Sequence, residues 1–378
     1  MSTQPRLLIL TAGFGEGHNT AARAVHSAWT RRHGTESAAI ADVFDQANPL
    51  LNRCARHGYL TLINRMPRVW SRMYTLLDRT ASSFGTLART LVSEKKVLAS
   101  LLRDQRPDLV CSTYPVYAFL IGDAARAAGV RLPHFNIVTD SISINALWWK
   151  AGASGWFMPN EDSAEVIRRA GINPRLVYVD GFPVAPDFAE QHEENGPPDL
   201  AAGARPRVLV IIHSGTRAVE TAKKLLMETD WEVTCAVGRD EKLRAELERM
   251  AAERVVPAQV FGWTPDMPAL LRNHHVVVSK AGGATTQEAI AARCPMIVTQ
   301  IVPGQEEGNY ELLRRHGVGG YAPHPEAVIQ RLRAAFARGG ALWASWRDAL
   351  EPLARPDAAD RIASRMTHLL QRNSPVSV

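Results

Sequence analysis

At 378 residues, with 46% hydrophobic and 22% charged residues, the chain is too long for one ordinary α/β domain and suits two domains with full-sized cores. No run of 18 apolar residues occurs, so no membrane-spanning helix is expected. The apolar N-terminal stretch is strand-length rather than signal-length, which points to a cytoplasmic protein. The four cysteines, Cys54, Cys111, Cys235 and Cys294, are widely spaced, which argues against a zinc ribbon, a redox motif or a disulfide framework. The net charge of +6 is uneven: residues 50–106 carry 11 Lys+Arg against 3 Asp+Glu, and the remainder is slightly acidic. That balance points to an anionic surface as the partner of this segment, and no nucleic-acid-binding module accompanies it.

Taken in chain order, Arg6–Thr11 reads as a buried strand and Asn19–Arg32 as the helix after it. Residues 50–106 interleave Leu, Ile, Met, Tyr59, Trp70 and Tyr74 with Arg65, Arg68 and Arg72 at helix-like spacing. Such helices lie in a lipid headgroup layer, or are ordinary domain helices with a solvated basic face. Asp108–Ser112 and His134–Thr139 continue the first series of strands. Residues 189–206, rich in Pro, Gly and Ala, suit a linker. A second series follows, with strands at Arg207–His213, Glu232–Val237, Gln259–Gly262, His275–Lys280 and Met296–Ile301, and a helix at Arg217–Thr229. The chain ends in helical sequence, Ala341–Leu353 and Asp357–Gln371, broken at Pro356. The pattern is α/β, two doubly wound domains in tandem, with ligands expected in a cleft at the carboxyl ends of their strands.

Two glycine turns carry the chemistry. The first, Gly13-x-Gly15-x-Gly17-His18, joins the first strand to the first helix. Its third glycine comes one residue early for a dinucleotide fingerprint, and it lacks the Lys-Ser/Thr of a P-loop. It therefore reads as a loop for an acceptor or a phosphate. His18 at its end takes a proton from an attacking hydroxyl, or caps the helix. The second turn, Lys280-Ala-Gly282-Gly283-Ala-Thr285, opens a helix whose first amides suit a diphosphate. Glu288, one turn in, reaches a vicinal diol such as ribose, or complements the helix dipole. Gln305, Glu306 and Asn309 follow the next strand with the amides and carboxylates that sugar hydroxyls need, unless they form a solvated turn. Phe261 and Trp263 offer aromatic surface for a base, or pack as core.

Taken in order, Gly262 with Met267, Lys280–Thr285 with Glu288, and Pro303–Glu306 with Asn309 resemble glycosyltransferase family 28. Within it the likeness is to the monogalactosyldiacylglycerol synthases and processive diacylglycerol glucosyltransferases, and Gly13–His18 and Tyr59…Trp70…Tyr74 resemble the same group. The resemblance implies a GT-B architecture: two Rossmann-like domains facing a central cleft, with the C-terminal helices packing back towards the N-terminal domain. Residues 1–188 would form the acceptor domain, with a membrane-facing segment at 50–106. Residues 189–206 would be the linker, 207–340 the UDP-sugar domain and 341–378 the terminal helices. It further implies inverting, metal-independent transfer of a hexose, galactose or glucose, from a UDP-sugar co-substrate to a lipid, diacylglycerol by analogy, at the inner membrane face and with no cofactor. Glu288 would hold the ribose, Gly282–Thr285 the diphosphate, and Gln305 and Glu306 the hexose. An epimerase or hydrolase of the same architecture, or a non-catalytic UDP-sugar or lipid binder, is the alternative.

Two departures from that family stand out. After Val138-Thr139-Asp140 the usual histidine is missing, and Asn145 stands in roughly its place before Trp148. Asp140, at a strand end, then shares the general-base role with His18, while Trp148 faces the acceptor or the membrane. The usual glycine-rich loop after the first C-terminal strand is replaced by His213-Ser214-Gly-Thr-Arg217, in which Ser214 supplies a donor-binding hydroxyl and Arg217 a phosphate partner.

Overall fold

The computed structural model describes residues 4–190, 196–213, 216–304 and 306–373, with backbone alone at 60, 63–65, 67, 68, 77, 82, 216 and 373. It divides into two compact units. The first takes the chain as far as Pro186, together with 302–308 and everything from Arg355 onward, and the second takes 187–301 and 309–354. The segment expected as a linker thus counts with the second unit. The return to the first unit comes at 355 rather than 341, because the helix Pro325–Leu350 carries on past a break at Ala337–Gly340.

Unit one is built on six parallel strands: β1 Leu7–Leu10, β2 Ala38–Ala41, β3 Leu109–Ser112, β4 His134–Ile137, β5 Gly155–Phe157 and β6 Val177–Tyr178. They lie in the order β2-β1-β3-β4-β5-β6, so the winding reverses at the β1/β3 pair, where the carboxyl ends of an open sheet receive ligands. The sequence of β1 shows why: all four residues are apolar and buried, as a strand covered on both faces must be. Leu7 and Ile9 join one core layer with Trp29, Ile362 and Met366. Leu8 and Leu10 join the other with Leu98, Leu102 and Tyr117, following the two-residue alternation of a strand.

The last helix, Ala358–Asn373, therefore completes the first unit's core. Arg365 ties it down with two bonds to the buried Asp180 carboxylate, at 2.5 and 2.8 Å.

Unit two has β7 Arg207–Ile211, β8 Glu232–Ala236, β9 Ala258–Phe261, β10 Val276–Lys280, β11 Met296–Gln300 and β12 Gly320–Tyr321. All are parallel, in the order β12-β11-β10-β7-β8-β9, with its reversal at β7/β10.

Removing the Arg365 charge while keeping its bulk (Arg365→Met) leaves Asp180 short of a partner. The expected cost is about 2 kcal/mol of unfolding free energy in denaturant titration, below the full value for a buried pair because the guanidinium is part-exposed. Adding Asp180→Asn should recover part of it, and additive losses would deny the coupling.

Candidate active site

Three strand ends of unit one converge on one imidazole. After β1 the chain turns through Gly13 and Gly15 into the helix Glu16–His33. Gly15 takes φ 133°, which a side chain opposes. A Cβ at Gly13 would lie 2.6 Å from the Arg56 guanidinium, and its N–H already donates to Asp42 Oδ2 at 3.0 Å. The loop thus meets a carboxylate on one side and a guanidinium on the other, and Gly17 sits in the helix's first turn.

His18, the helix's third residue, has Nδ1 2.6 Å from the carbonyl of Thr113, just past β3, and 2.9 Å from the Thr139 hydroxyl, beyond β4. A carbonyl can only accept, so Nδ1 carries the hydrogen and Nε2 keeps its lone pair. Burial lowers the His18 pKa to about 4, against the Thr113 carbonyl, which raises it, so the ring is neutral at pH 7. Tyr114 packs edge-on against the ring, at 5.2 Å between centroids.

Asp140 follows Thr139. Its Oδ2 accepts from Trp148 Nε1 at 2.7 Å. Burial raises its pKa to about 6, while the Trp148 bond pulls it down. Trp148 itself is fully buried among Val138, Ile144 and Trp156. Its carbonyl accepts from Asn136 Nδ2 and Trp156 Nε1, at 3.1 and 2.7 Å. The expectation that Trp148 faces acceptor or membrane is therefore corrected: it is a core residue that holds Asp140.

His18 and Asp140 line one cavity of about 390 Å³ with Phe14, Tyr59, Leu62, Trp70, Met73, Tyr74, Tyr114, Asn145 and Leu147. Its far wall comes from the basic segment, folded as the helices Pro49–Arg65 and Pro67–Arg79. Tyr59, Trp70 and Tyr74 face this cavity as a contiguous aromatic group, with centroids 5.1 and 6.0 Å apart. Trp70 is accordingly buried, a cavity wall rather than an exposed anchor. Arg72 is exposed, and the Arg65 and Arg68 side chains lie outside the described residues. Sequence reasoning missed Phe14, Tyr114 and the Thr113 carbonyl. An aromatic two residues past a strand end was the available signal for Tyr114, whereas a backbone carbonyl leaves none.

In unit two, β7 and β10 end side by side. The hydroxyl of Thr285, in the first turn of the helix Gly283–Ala291, lies 3.3 Å from His213 Nε2, just past β7. Lys280 ends β10, Gly282 caps the helix in extended conformation, and Glu288 sits half-buried one turn further on. Ser214 and Gln305 lie outside the described residues. Asn309 is buried and its Nδ2 donates to the Ala281 carbonyl at 2.9 Å. It braces the turn below the helix rather than standing open to a sugar. Glu306, in the 302–308 segment that counts with unit one, is also buried, and its Oε2 accepts the Val302 N–H at 3.0 Å. Trp263 is 69% exposed, so it is not core. With Phe261, Gly238, Arg239 and Arg244 it borders a shallow cavity of about 380 Å³ at the ends of β8 and β9.

Residues 18–184 match the family model of monogalactosyldiacylglycerol (MGDG) synthase, and residues 215–335 match the glycosyltransferase family 28 C-terminal domain. A processive diacylglycerol beta-glucosyltransferase of Bacillus cereus (strain AH187) is 23% identical, over 96% of this chain and 93% of its own length. Among solved structures, the UDP complex of MnaA from S. aureus superposes with a TM-score of 0.62 at 13% identity, over 97% of both chains. MurG from Acinetobacter baumannii gives 0.61 at 14% identity, over 97% of this chain and 100% of its own. These two likenesses speak for the fold, two Rossmann-like domains of the GT-B architecture. With both of its domains matched, the chain belongs to glycosyltransferase family 28, its N-terminal domain being of the monogalactosyldiacylglycerol synthase kind.

Proposed function

We propose that the protein transfers a hexose from a UDP-sugar to the free hydroxyl of diacylglycerol, with inversion, at the inner face of the membrane. The observation that carries this reading is the cavity of unit one: a largely apolar chamber that holds two proton acceptors. A sugar acceptor would leave those walls unmatched, whereas a lipid alcohol covers them and places its one hydroxyl beside the acceptors. The family matches and the diacylglycerol glucosyltransferase relative support the same substrate.

In the reaction the acceptor oxygen forms a bond to the anomeric carbon as the bond from that carbon to the diphosphate breaks. UDP leaves with the electron pair, and the hydroxyl proton passes to a base. Asp140 is the stronger base of the two, since its pKa of about 6 lies nearer the working pH than the value of about 4 at His18. His18 offers its Nε2 lone pair as a second acceptor and orients the hydroxyl. On the donor side, the first amides of the helix Gly283–Ala291, Thr285 and Lys280 take up charge on the leaving diphosphate, and Glu288 holds the ribose. Gln305 and Glu306 are assigned to the hexose by family likeness. Metal-independent transfer is taken from the family likeness.

The membrane reading rests on exposed apolar side chains set among exposed cations. Leu50, Leu51, Val69, Leu76 and Leu87 stand exposed beside Arg53, Arg72, Arg79 and Arg89. No helix is long and apolar enough to cross a membrane. A peripheral seat on an anionic leaflet therefore suits this face.

The chemistry is tested by incubating UDP-hexoses with diacylglycerol and other lipid alcohols and reading products by mass spectrometry; free UDP or altered sugar without a glycolipid would defeat the reading. Because Asp140 must be ionised to accept the proton, kcat/KM should be level above pH 6 and fall about tenfold per pH unit below it. Asp140→Asn should lower kcat by about 10²–10⁴ with little change in acceptor KM. A profile level down to pH 4 would move the base to His18. In vesicle sedimentation, Arg72→Glu with Arg79→Glu should weaken binding to anionic vesicles about tenfold or more and leave binding to neutral vesicles nearly unchanged. Equal loss on both kinds of vesicle would refute the electrostatic seat.

A further inference from the structure

We infer that Asn136 is a positioning residue for the transfer: it acts on Asp140 through Trp148, by fixing the carbonyl of the residue whose indole N–H holds the carboxylate. The inference rests on the reading above in which Asp140 is the base. It gives the buried polar side chains behind the cavity a part in that step.

Ser112, Asn136 and Trp156 stand opposite one another in the register of β3, β4 and β5. Ser112 and Asn136 are fully buried, and His134, on the same face of β4 as Asn136, is nearly so. Polar side chains in the middle of a sheet are costly unless each hydrogen has somewhere to go. Here one end dictates the rest. The Trp148 carbonyl can only accept, so Asn136 turns its Nδ2 towards it, at 3.1 Å. Its Oδ1 then faces the Ser112 hydroxyl, at 2.9 Å, and takes that hydroxyl's hydrogen. Ser112 Oγ is left to accept, and His134 Nε2 donates to it from 2.9 Å. Burial lowers the His134 pKa to about 4, so the ring is neutral and Nε2 carries its one hydrogen. The hydrogens thus all run one way, from His134 to the Trp148 carbonyl.

Trp148 lies in a helix of a single turn, Leu147–Lys150. So short a helix gains little from its own backbone bonds, and its carbonyls depend on outside partners. For Trp148 these are Asn136 Nδ2 and Trp156 Nε1, from neighbouring strands. Trp156 supplies a single N–H. Asn136 is gripped on both sides, by Trp148 at Nδ2 and by Ser112 at Oδ1, so its amide cannot turn over without losing both bonds. The sheet therefore aims the indole, and the indole aims the carboxylate at 2.7 Å.

The Trp148 N–H favours the ionised form of Asp140, against the burial that raises its pKa to about 6. Loosening Trp148 withdraws that donor, so the pKa moves further up. The titratable groups that share the cavity are His18 from the first helix, Tyr59 and Tyr74 from the basic helices and Tyr114 after β3. Asp78, a further neighbour of Tyr74, is turned to the Ala146 N–H at 2.7 Å. His18 is already neutral at pH 6 and the phenols keep their protons there, so an acid limb near that pH belongs to Asp140.

The test measures the acid limb of kcat/KM for dioleoylglycerol in mixed micelles, with one UDP-hexose, in wild type, Asn136→Leu, Trp148→Phe and the double variant. A limb's midpoint does not depend on how much enzyme is folded, so a merely structural Asn136 would lower the rate and leave the midpoint in place. Wild type should turn near pH 6. Trp148→Phe should turn about one pH unit higher, Asn136→Leu about half a unit higher or more, and the double variant no higher than Trp148→Phe. Ser112→Ala, a smaller change that frees the amide, should move the midpoint the same way and takes the place of Asn136→Leu if that variant does not fold. A midpoint unmoved in Trp148→Phe or in the Asn136→Leu or Ser112→Ala variant, or a double variant shifted by the sum of the singles, overturns the assignment and leaves Asp140 as the base. A wild-type profile with no limb near pH 6 overturns the base itself, and this inference with it.

Discussion

The hydrogen bond from His18 Nδ1 to the Thr113 carbonyl is the constraint on which the first unit's chemistry depends. It joins the turn after β1 to the end of β3, the pair of strands at which the sheet's winding reverses. The Thr139 hydroxyl adds the end of β4 to the same nitrogen. One ring is thus fixed by three elements of a rigid sheet, and its tautomer is dictated by an acceptor that has no hydrogen to offer. On a free loop the same ring would lose rotamer freedom each time it worked. Here that freedom is already lost on folding, and the lone pair on Nε2 is held ready.

Desolvation shifts His18 and Asp140, two ionisable groups of the cavity, in opposite senses. It pushes the imidazole down to about 4 and the Asp140 carboxyl up to about 6, because it disfavours the charged form of each. Apolar walls that keep water from the carboxylate thereby make it a better base. Trp148 limits the effect. Its Nε1 on Asp140 favours the ionised form, and its burial and doubly used carbonyl give it no room to leave. The apolar lining and the base strength of Asp140 therefore share one cause.

Much of this was legible in the sequence where burial leaves a pattern. Strands covered on both faces read as apolar runs, so β1, β3, β4 and the five long strands of unit two fall within one or two residues of expectation. The short strands β5, β6 and β12, and the alanine-rich β2, leave no comparable run. The glycine turns were legible because a left-handed residue and a helix start need particular residues. Direction was not. Trp148, Trp70 and Tyr74 were all read as facing acceptor or membrane, yet one is core and two are cavity wall, since spacing gives a face of a helix and not what covers it. Asn309 shows the same limit for polar residues. A loop rich in amides looks like a sugar site whether its side chains point outward or, as here, tie the backbone. Unit boundaries were hidden for a topological reason, because the last helix returns to the first core and no local composition marks the crossing.

Side chains spent on holding backbone also stiffen the helix start of unit two. Anion binding at a helix start relies on amides that point the same way before the ligand arrives. That requires the turn beneath them to be stiff. Asn309 on the Ala281 carbonyl and Thr285 beside His213 supply the stiffness from either side of the turn after β10. The second contact is a side-chain brace, His213 Nε2 beside the Thr285 hydroxyl. His213, just past β7, thus fixes the helix start through Thr285, and a start held still keeps its first amides aligned.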